Sequence, residues 1–322
     1  MKAVIFEKLG GPEVLHLGDV PKPEAKPGTV VIRVRSAGIN FADTLFRKGQ
    51  YLMQPKLPDV PGVEAAGEIE SVGADATNFR PGMRVAGIGS RTYAEYAQVP
   101  ANQVIPLPDS LSFDEGAAFP IQVLTAWHML HTSHATAAGQ TVLVHSAAGG
   151  VGIVAVQIAK AAGARVIGTV SSDSKASLVK QFGADDVINY ATHDFAEETN
   201  RLTGGRGADL ILDAVGATTF ENGLKCVAPF GHVILYGRAG GPPEPLNVFR
   251  LFEKSAKVSG FTLYAVAPQP EIMRSGIEES FRLIEQGKLK LLVGRAFPLA
   301  EAAEAHRFIE SRQSTGKLVL NP

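Results

Sequence analysis

The stretch HSAAGGVG, His145 to Gly152, sets three glycines among small residues directly behind the apolar run TVLV. Glycine costs conformational entropy in any ordered element, so a cluster of it marks a place where side chains would obstruct a close approach. An apolar, alanine-rich and proline-free segment follows, VGIVAVQIAKAAGA, which suits a helix packed on a sheet. Strand, glycine turn and helix N-terminus together make an anion site of the kind that cradles a dinucleotide pyrophosphate. Against the template G-x-G-x-x-G, Ala147 stands at the first glycine, Gly149 at the second and Gly152 at the third. The second position admits phosphate and the third lets helix and strand pack closely. Ala148, Gly149, Gly150 and Val151 are the expected contacts of this turn.

The next apolar run, ARVIGTV, ends at Ser171 and Ser172, with no acid on its last residues. An Asp or Glu there would accept from the ribose hydroxyls of NAD. Lys175 follows within a turn, and Tyr190 closes the apolar stretch DDVINY. Hydroxyls, an ammonium and a phenol suit a 2′-phosphate, which a carboxylate would repel, so the expected cofactor is NADPH over NADH. Asp173 is open to two readings, as a cap of the next helix or as a ribose ligand.

The elements that must position these residues are legible in coarse form. Residues 1–120 carry short β-type runs (VVIRVRSAG, AAGEIESVG, RVAGIG) between proline- and glycine-rich turns. Residues 121–260 alternate apolar runs with helix-compatible segments, the pattern of a doubly wound parallel sheet. Beyond Gly260 two further helices and a closing strand, GKLVL, complete the first domain. The expected organisation is therefore a β-rich domain of residues 1–120 plus 261–322, with an inserted α/β domain of residues 121–260.

Composition narrows the function classes. The chain has 322 residues, 45% of them hydrophobic, with 31 Lys plus Arg against 32 Asp plus Glu. That balance offers nothing to attract nucleic acid or an anionic membrane. No apolar run approaches a membrane span, and the N-terminus lacks the pattern of a signal peptide, so a cytoplasmic protein is expected. The one cysteine, Cys226, leaves no internal disulfide and no multi-cysteine metal site. His128, His131 and His134 in AWHMLHTSH read as polar positions at a helix end rather than as metal ligands.

With GGPEV, INFADTLFRKGQY, PGVEAAG, HSAAGGVG, GTVSSDSK, VINY and TGKLVL in place, the chain resembles, nearly end to end, the zinc-independent quinone oxidoreductases of the medium-chain dehydrogenase/reductase superfamily, the group that includes zeta-crystallin. The resemblance implies a Rossmann sheet inserted in a GroES-like β-rich catalytic domain, a homodimer, and further cofactor contacts at Thr125, Gly237, Arg238, Phe261, Leu263 and Lys317. Zinc-dependent relatives carry a catalytic cysteine near the INF stretch and a histidine before the glutamate of PGVEAAG. Here Ile39, Asn40 and Val63 stand instead, and no metal is expected.

A reductase without metal needs groups that polarise an acceptor carbonyl and a source of protons. Asn40 can donate an amide N–H to a carbonyl oxygen or to the nicotinamide amide, Asp43 can hold that geometry, and Tyr51 offers a phenol. The same residues also read as a helix cap, a first-turn acid and a rim aromatic. The expected activity is hydride transfer from NADPH to a quinone. An enone or enoyl-thioester reductase is the alternative, since Tyr51 matches the position where some enoyl reductases of the superfamily place a tyrosine. A structural, crystallin-like or RNA-binding role is the alternative of another class, without a basic or aromatic-interleaved surface to support it.

Overall fold

In the run TVVIRVRSAGI the side chains of Val30, Val31, Ile32 and Val34 are buried while Arg33 and Arg35 face solvent. From Ile32 to Ser36 burial alternates, as in a strand with one covered face, while the flanking residues Val30, Val31 and Ala37–Ile39 are buried in succession. The protein, described here by a computed structural model of all 322 residues, divides into two units, Met1–Ile121 with Leu291–Pro322, and Gln122–Lys290.

The first unit begins with strands β1 (Lys2–Ile5), β2 (His16–Asp19), β3 (Thr29–Ile39), β4 (Glu64–Val72), β5 (Arg84–Ile88), β6 (Tyr96–Pro100) and β7 (Val104–Pro106), and with the short helices α1 (Phe41–Arg47) and α2 (Phe113–Ala117). β3 is its spine, pairing antiparallel with both β4 and β6. α2 starts at a capping box in which Ser112 accepts from the Glu115 N–H and Glu115 from the Ser112 N–H.

The second unit carries α3 (Leu124–His128), β8 (Thr141–Val144), α4 (Gly150–Ala161), β9 (Arg165–Val170), α5 (Asp173–Gln181), β10 (Asp186–Asn189), α6 (Phe195–Leu202), β11 (Ala208–Asp213), α7 (Phe220–Cys226), β12 (Val227–Leu235), β13 (Lys257–Gly260), α8 (Leu263–Val266) and α9 (Pro270–Glu285). Its six strands run parallel in the order β10-β9-β8-β11-β12-β13. The order reverses direction at β8 and β11, which is the doubly wound arrangement with its switch point there. β8 and β11 are buried throughout, as expected of central parallel strands.

The chain then returns through β14 (Val293–Pro298), α10 (Ala302–Glu310) and β15 (Lys317–Asn321). β15 pairs antiparallel with β3 and parallel with β14, completing a seven-stranded sheet. The return falls after Lys290, not after Gly260 as the composition suggests. Residues 261–290 are held in the second unit: α9 packs on α3, and Gln157 of α4 accepts from the Lys290 N–H at 2.8 Å and donates to its carbonyl at 3.1 Å. His128, His131 and His134 diverge. His128 Nδ1 meets Thr132 Oγ1 at 2.9 Å, His131 lies tilted against the Trp127 ring, and His134 Nε2 lies 3.3 Å from Gln140 Oε1.

Candidate active site

The parallel strands of the second unit deliver most of the expected cofactor residues to one edge of the sheet, because each of these follows the carboxyl end of its strand, whereas Thr125 lies in α3 and Asn40 and Lys317 in the first unit. Ala148, Gly149, Gly150 and Val151 follow β8, Ser171 and Ser172 follow β9, Tyr190 follows β10, Gly237 and Arg238 follow β12, and Phe261 and Leu263 follow β13. Open parallel sheets bind ligands outside their carboxyl ends, at the switch point. The turn after β8 is built for approach. Gly149 stands at the N-cap of α4, and a Cβ there would touch only the Ser146 carbonyl, at 3.2 Å. At Gly152 a Cβ would lie 2.3 Å from the Ser146 oxygen and 2.8 Å from the Ala147 Cα, so this glycine serves backbone packing.

At the end of β9, Ser172 caps α5 and accepts from the Lys175 N–H at 3.4 Å. Ser171 and Lys175 are half-buried, and burial pulls the Lys175 ammonium below the ordinary lysine range. Asp173 is not the cap; its Oδ1 accepts from Asn189 Nδ2 at 2.9 Å. Tyr190 is exposed, while Thr125, in α3, is buried.

In the first unit a second polar group collects where β3 meets α1. The Asn40 backbone caps α1: its N–H donates to Asp43 Oδ2 at 2.8 Å and its carbonyl accepts from the Asp43 N–H at 3.0 Å. The side-chain amide is left for other partners. Nδ2 donates to Glu64 Oε1 at 2.7 Å, and Oδ1 accepts from Lys317 Nζ at 3.0 Å. Lys317 is also ion-paired with Glu64, both wholly buried, and the second Glu64 oxygen accepts from the Ile121 N–H at 2.8 Å. Lys317 therefore sits inside this cluster.

Behind Asn40 the buried network continues. Tyr93 donates to Asp43 Oδ2 at 2.9 Å and lies 3.3 Å from His306 Nε2, while Arg47 Nη1 lies 2.8 Å from His306 Nδ1. An arginine can only donate, so His306 Nδ1 accepts and Nε2 carries the proton. Burial pushes the Asp43 carboxyl up to about 6 against the pull of the Asn40 N–H and the Tyr93 hydroxyl. Burial, with Arg47 and Lys48 beside it, pulls His306 down to about 3. Tyr51 is half-buried in the bend after α1, its carbonyl accepting from Gln54 Nε2 at 3.0 Å.

Residues 26–109 match the alcohol dehydrogenase GroES-like domain and residues 150–280 the zinc-binding dehydrogenase domain. A quinone oxidoreductase of Pseudomonas aeruginosa is 40% identical, with 100% of this chain and 99% of that one covered. The chain belongs to the quinone oxidoreductase family of the medium-chain dehydrogenases and reductases. Within this family, the Escherichia coli quinone oxidoreductase solved with NADPH superposes with a TM-score of 0.96 at 33% identity, each chain covered in full. A 2-haloacrylate reductase of Burkholderia sp. is 36% identical over 99% of this chain and 98% of its own.

Zinc does not fit this quinone oxidoreductase family member at the Asn40 cluster. A catalytic zinc takes about three protein ligands, chiefly thiolate, imidazole or carboxylate. The cluster offers the Glu64 carboxylate, already engaged by an ammonium, an amide, and the Asp43 carboxyl, which is taken up by the Asn40 N–H and the Tyr93 hydroxyl. No group of three or more His, Cys, Asp or Glu side chains is placed to hold a metal, and Cys226 is buried, its thiol pushed up to about 12. Sequence reasoning passed over Glu64, Tyr93, Arg47 and His306. Glu64 alone left a signal, as an isolated acid among the small and apolar residues of PGVEAAG.

Proposed function

We propose that the protein is an NADPH-dependent quinone oxidoreductase. The observation that carries this reading is the convergence of Gly149, Ser171, Lys175 and Tyr190 on the carboxyl ends of adjacent strands, with no carboxylate on the last residues of β9. When bound, NADPH supplies the hydride. Gly149 and the N-terminus of α4 hold the pyrophosphate, and Ser171, Lys175 and Tyr190 hold the 2′-phosphate. Ser172 shapes this end through its cap of α5. Thr125, Gly237, Arg238, Phe261 and Leu263 complete the site in the second unit.

On the acceptor side, Asn40 Nδ2 has a second hydrogen beyond the one given to Glu64. It donates to the carbonyl oxygen of the acceptor, where negative charge grows as hydride arrives. Asp43 fixes the Asn40 backbone, and Tyr51 flanks the acceptor with its phenol. A quinone reduced by hydride becomes a hydroquinone anion that takes its proton from water, so no strong acid is required of the protein.

The 2-haloacrylate reductase relative favours a second reading, reduction of an activated C=C bond, with Tyr51 delivering the proton to the α-carbon. Oxidation of NADPH measured against quinones, enones and enoyl thioesters separates the two. Rapid quinone turnover is expected; a protein that ignores quinones and reduces an enoyl thioester overturns the first reading. No helix is long and apolar enough to cross a membrane, and the proposed location is the cytoplasm. A homodimer is proposed from the family resemblance; in the second unit β13 is an edge strand, and the rings of Phe249 and Phe252 are exposed.

A further inference from the structure

We infer that Lys317 and Glu64 are positioning residues that lock the Asn40 amide in one orientation and keep its second N–H available as a donor to the reacting oxygen. The inference rests on the role of Asn40 in the proposed reaction. An asparagine amide is nearly symmetric in shape and opposite in polarity at its two ends, so its orientation is set only by what it meets. Here it meets two single-purpose groups. The ammonium of Lys317 can only donate, and it faces Oδ1 at 3.0 Å; Oε1 of the Glu64 carboxylate accepts, and it faces Nδ2 at 2.7 Å. Turning the amide over would set oxygen against carboxylate and N–H against ammonium. Both contacts would then be repulsive.

The clamp is itself held rigidly. Lys317 and Glu64 are wholly buried and paired with each other, and the Ile121 N–H fixes the other carboxylate oxygen at 2.8 Å. The space they occupy exists because residue 38 is glycine. A Cβ there would lie 2.6 Å from Lys317 Cε, 2.7 Å from Glu64 Oε1 and 2.5 Å from the Ala117 carbonyl oxygen. Asn40 itself is only half-buried, and its Nδ2 carries a second hydrogen beyond the one given to Glu64. The ammonium on the amide oxygen and the carboxylate on one N–H polarise the amide in opposite senses, so the pair acts through orientation, holding a preorganised donor for the growing negative charge. The pair fixes which end is which: the cation faces the amide oxygen and the carboxylate takes one of the two N–H groups.

The test uses the full-length protein with both charges removed together, Lys317→Met with Glu64→Gln. Removing one partner alone strands a buried charge and risks unfolding, whereas removing both is often nearly neutral. The double variant should keep the parent circular dichroism spectrum. Its kcat with a quinone should fall by about 10-fold or more, toward the 10²- to 10³-fold loss of a missing oxyanion donor, with KM for NADPH within about twofold of parent. In an Asn40→Ala background the same pair of substitutions should cause no further loss, because coupled residues do not add. Solvent exchange of the Asn40 side-chain amide, followed by NMR on asparagine-labelled protein, should quicken at least tenfold in the double variant. An unchanged kcat and exchange rate, or equal losses with and without Asn40, overturns the inference. A parent without quinone activity sinks the proposed function, and the exchange measurement still judges the clamp.

Discussion

Tyr93 donates its hydroxyl to Asp43 at 2.9 Å with both side chains buried, and the same carboxylate oxygen accepts the Asn40 N–H. An aspartate in so dry a site resists ionisation, and its carboxyl is raised from 3.8 to about 6. Between these values the folded protein holds a proton that the unfolded chain has lost. Stability from this group is therefore present at low pH and declines as pH climbs from about 4 to about 6, by about 3 kcal/mol at ~1.4 kcal/mol per pKa unit. Asp43→Asn should remove that decline. Denaturant melts of parent and variant across this range check it, and parallel curves would count against it.

His306 runs the other way. Its folded value, about 3, lies below the ordinary 6.5, so stability rises with pH through this window and is lost as acid forces a proton onto the buried ring. His306→Gln should flatten the acid limb of the melt. An acid limb as steep as the parent's would show that other histidines carry it.

Lys175→Ala should weaken NADPH binding much more than NADH binding. A charge-assisted phosphate contact is worth roughly 1.5–3 kcal/mol, or about 10- to 150-fold in affinity. Fluorescence titration with both nucleotides measures the difference; equal losses would remove Lys175 from the 2′-phosphate site.

Two glycines of the same turn should respond differently to a methyl group. Gly152→Ala drives a Cβ to 2.3 Å from a backbone oxygen, and should cost about 1–3 kcal/mol of stability as overpacking. Gly149→Ala meets one atom at 3.2 Å, so the fold should persist while NADPH affinity falls. Thermal melts and titration of both variants separate packing from binding. A Gly149→Ala protein that binds NADPH as the parent does would place the pyrophosphate elsewhere.

Tyr51→Phe distinguishes a lining role from proton delivery. Quinone turnover should survive nearly intact, and any enone turnover should fall by about the 10²- to 10⁴-fold of a lost general acid. Steady-state assays with both acceptors read the outcome, and a collapse of quinone turnover would assign Tyr51 to the quinone reaction itself.

What the amino-acid sequence by itself determined is what neighbouring residues decide together. The strand TVLV, the turn HSAAGGVG and the helix after it are one contiguous stretch, and their chemistry is written in backbone freedom and apolar spacing. The residues after β9 and β10 were legible for the same reason, since a parallel sheet brings successive strand ends to one edge. The Asn40 clamp was not. Lys317 lies 277 positions from Asn40 and 253 from Glu64, and His306, in the helical stretch LAEAAEAHRFIES, reads as an ordinary polar position until Arg47 and Tyr93 are set against it. The limit of the insertion was hidden as well, because Gln157 and the face of α3, both far from α9 in the chain, hold residues 261–290 in the second unit. Local propensity places a glycine turn or a strand; only the pairing of β15 with β3, which buries Lys317 beside Glu64, decides which polar side chains become one another's partners. A buried charge gains its role from what desolvates and pairs it, and that is a property of the packed structure.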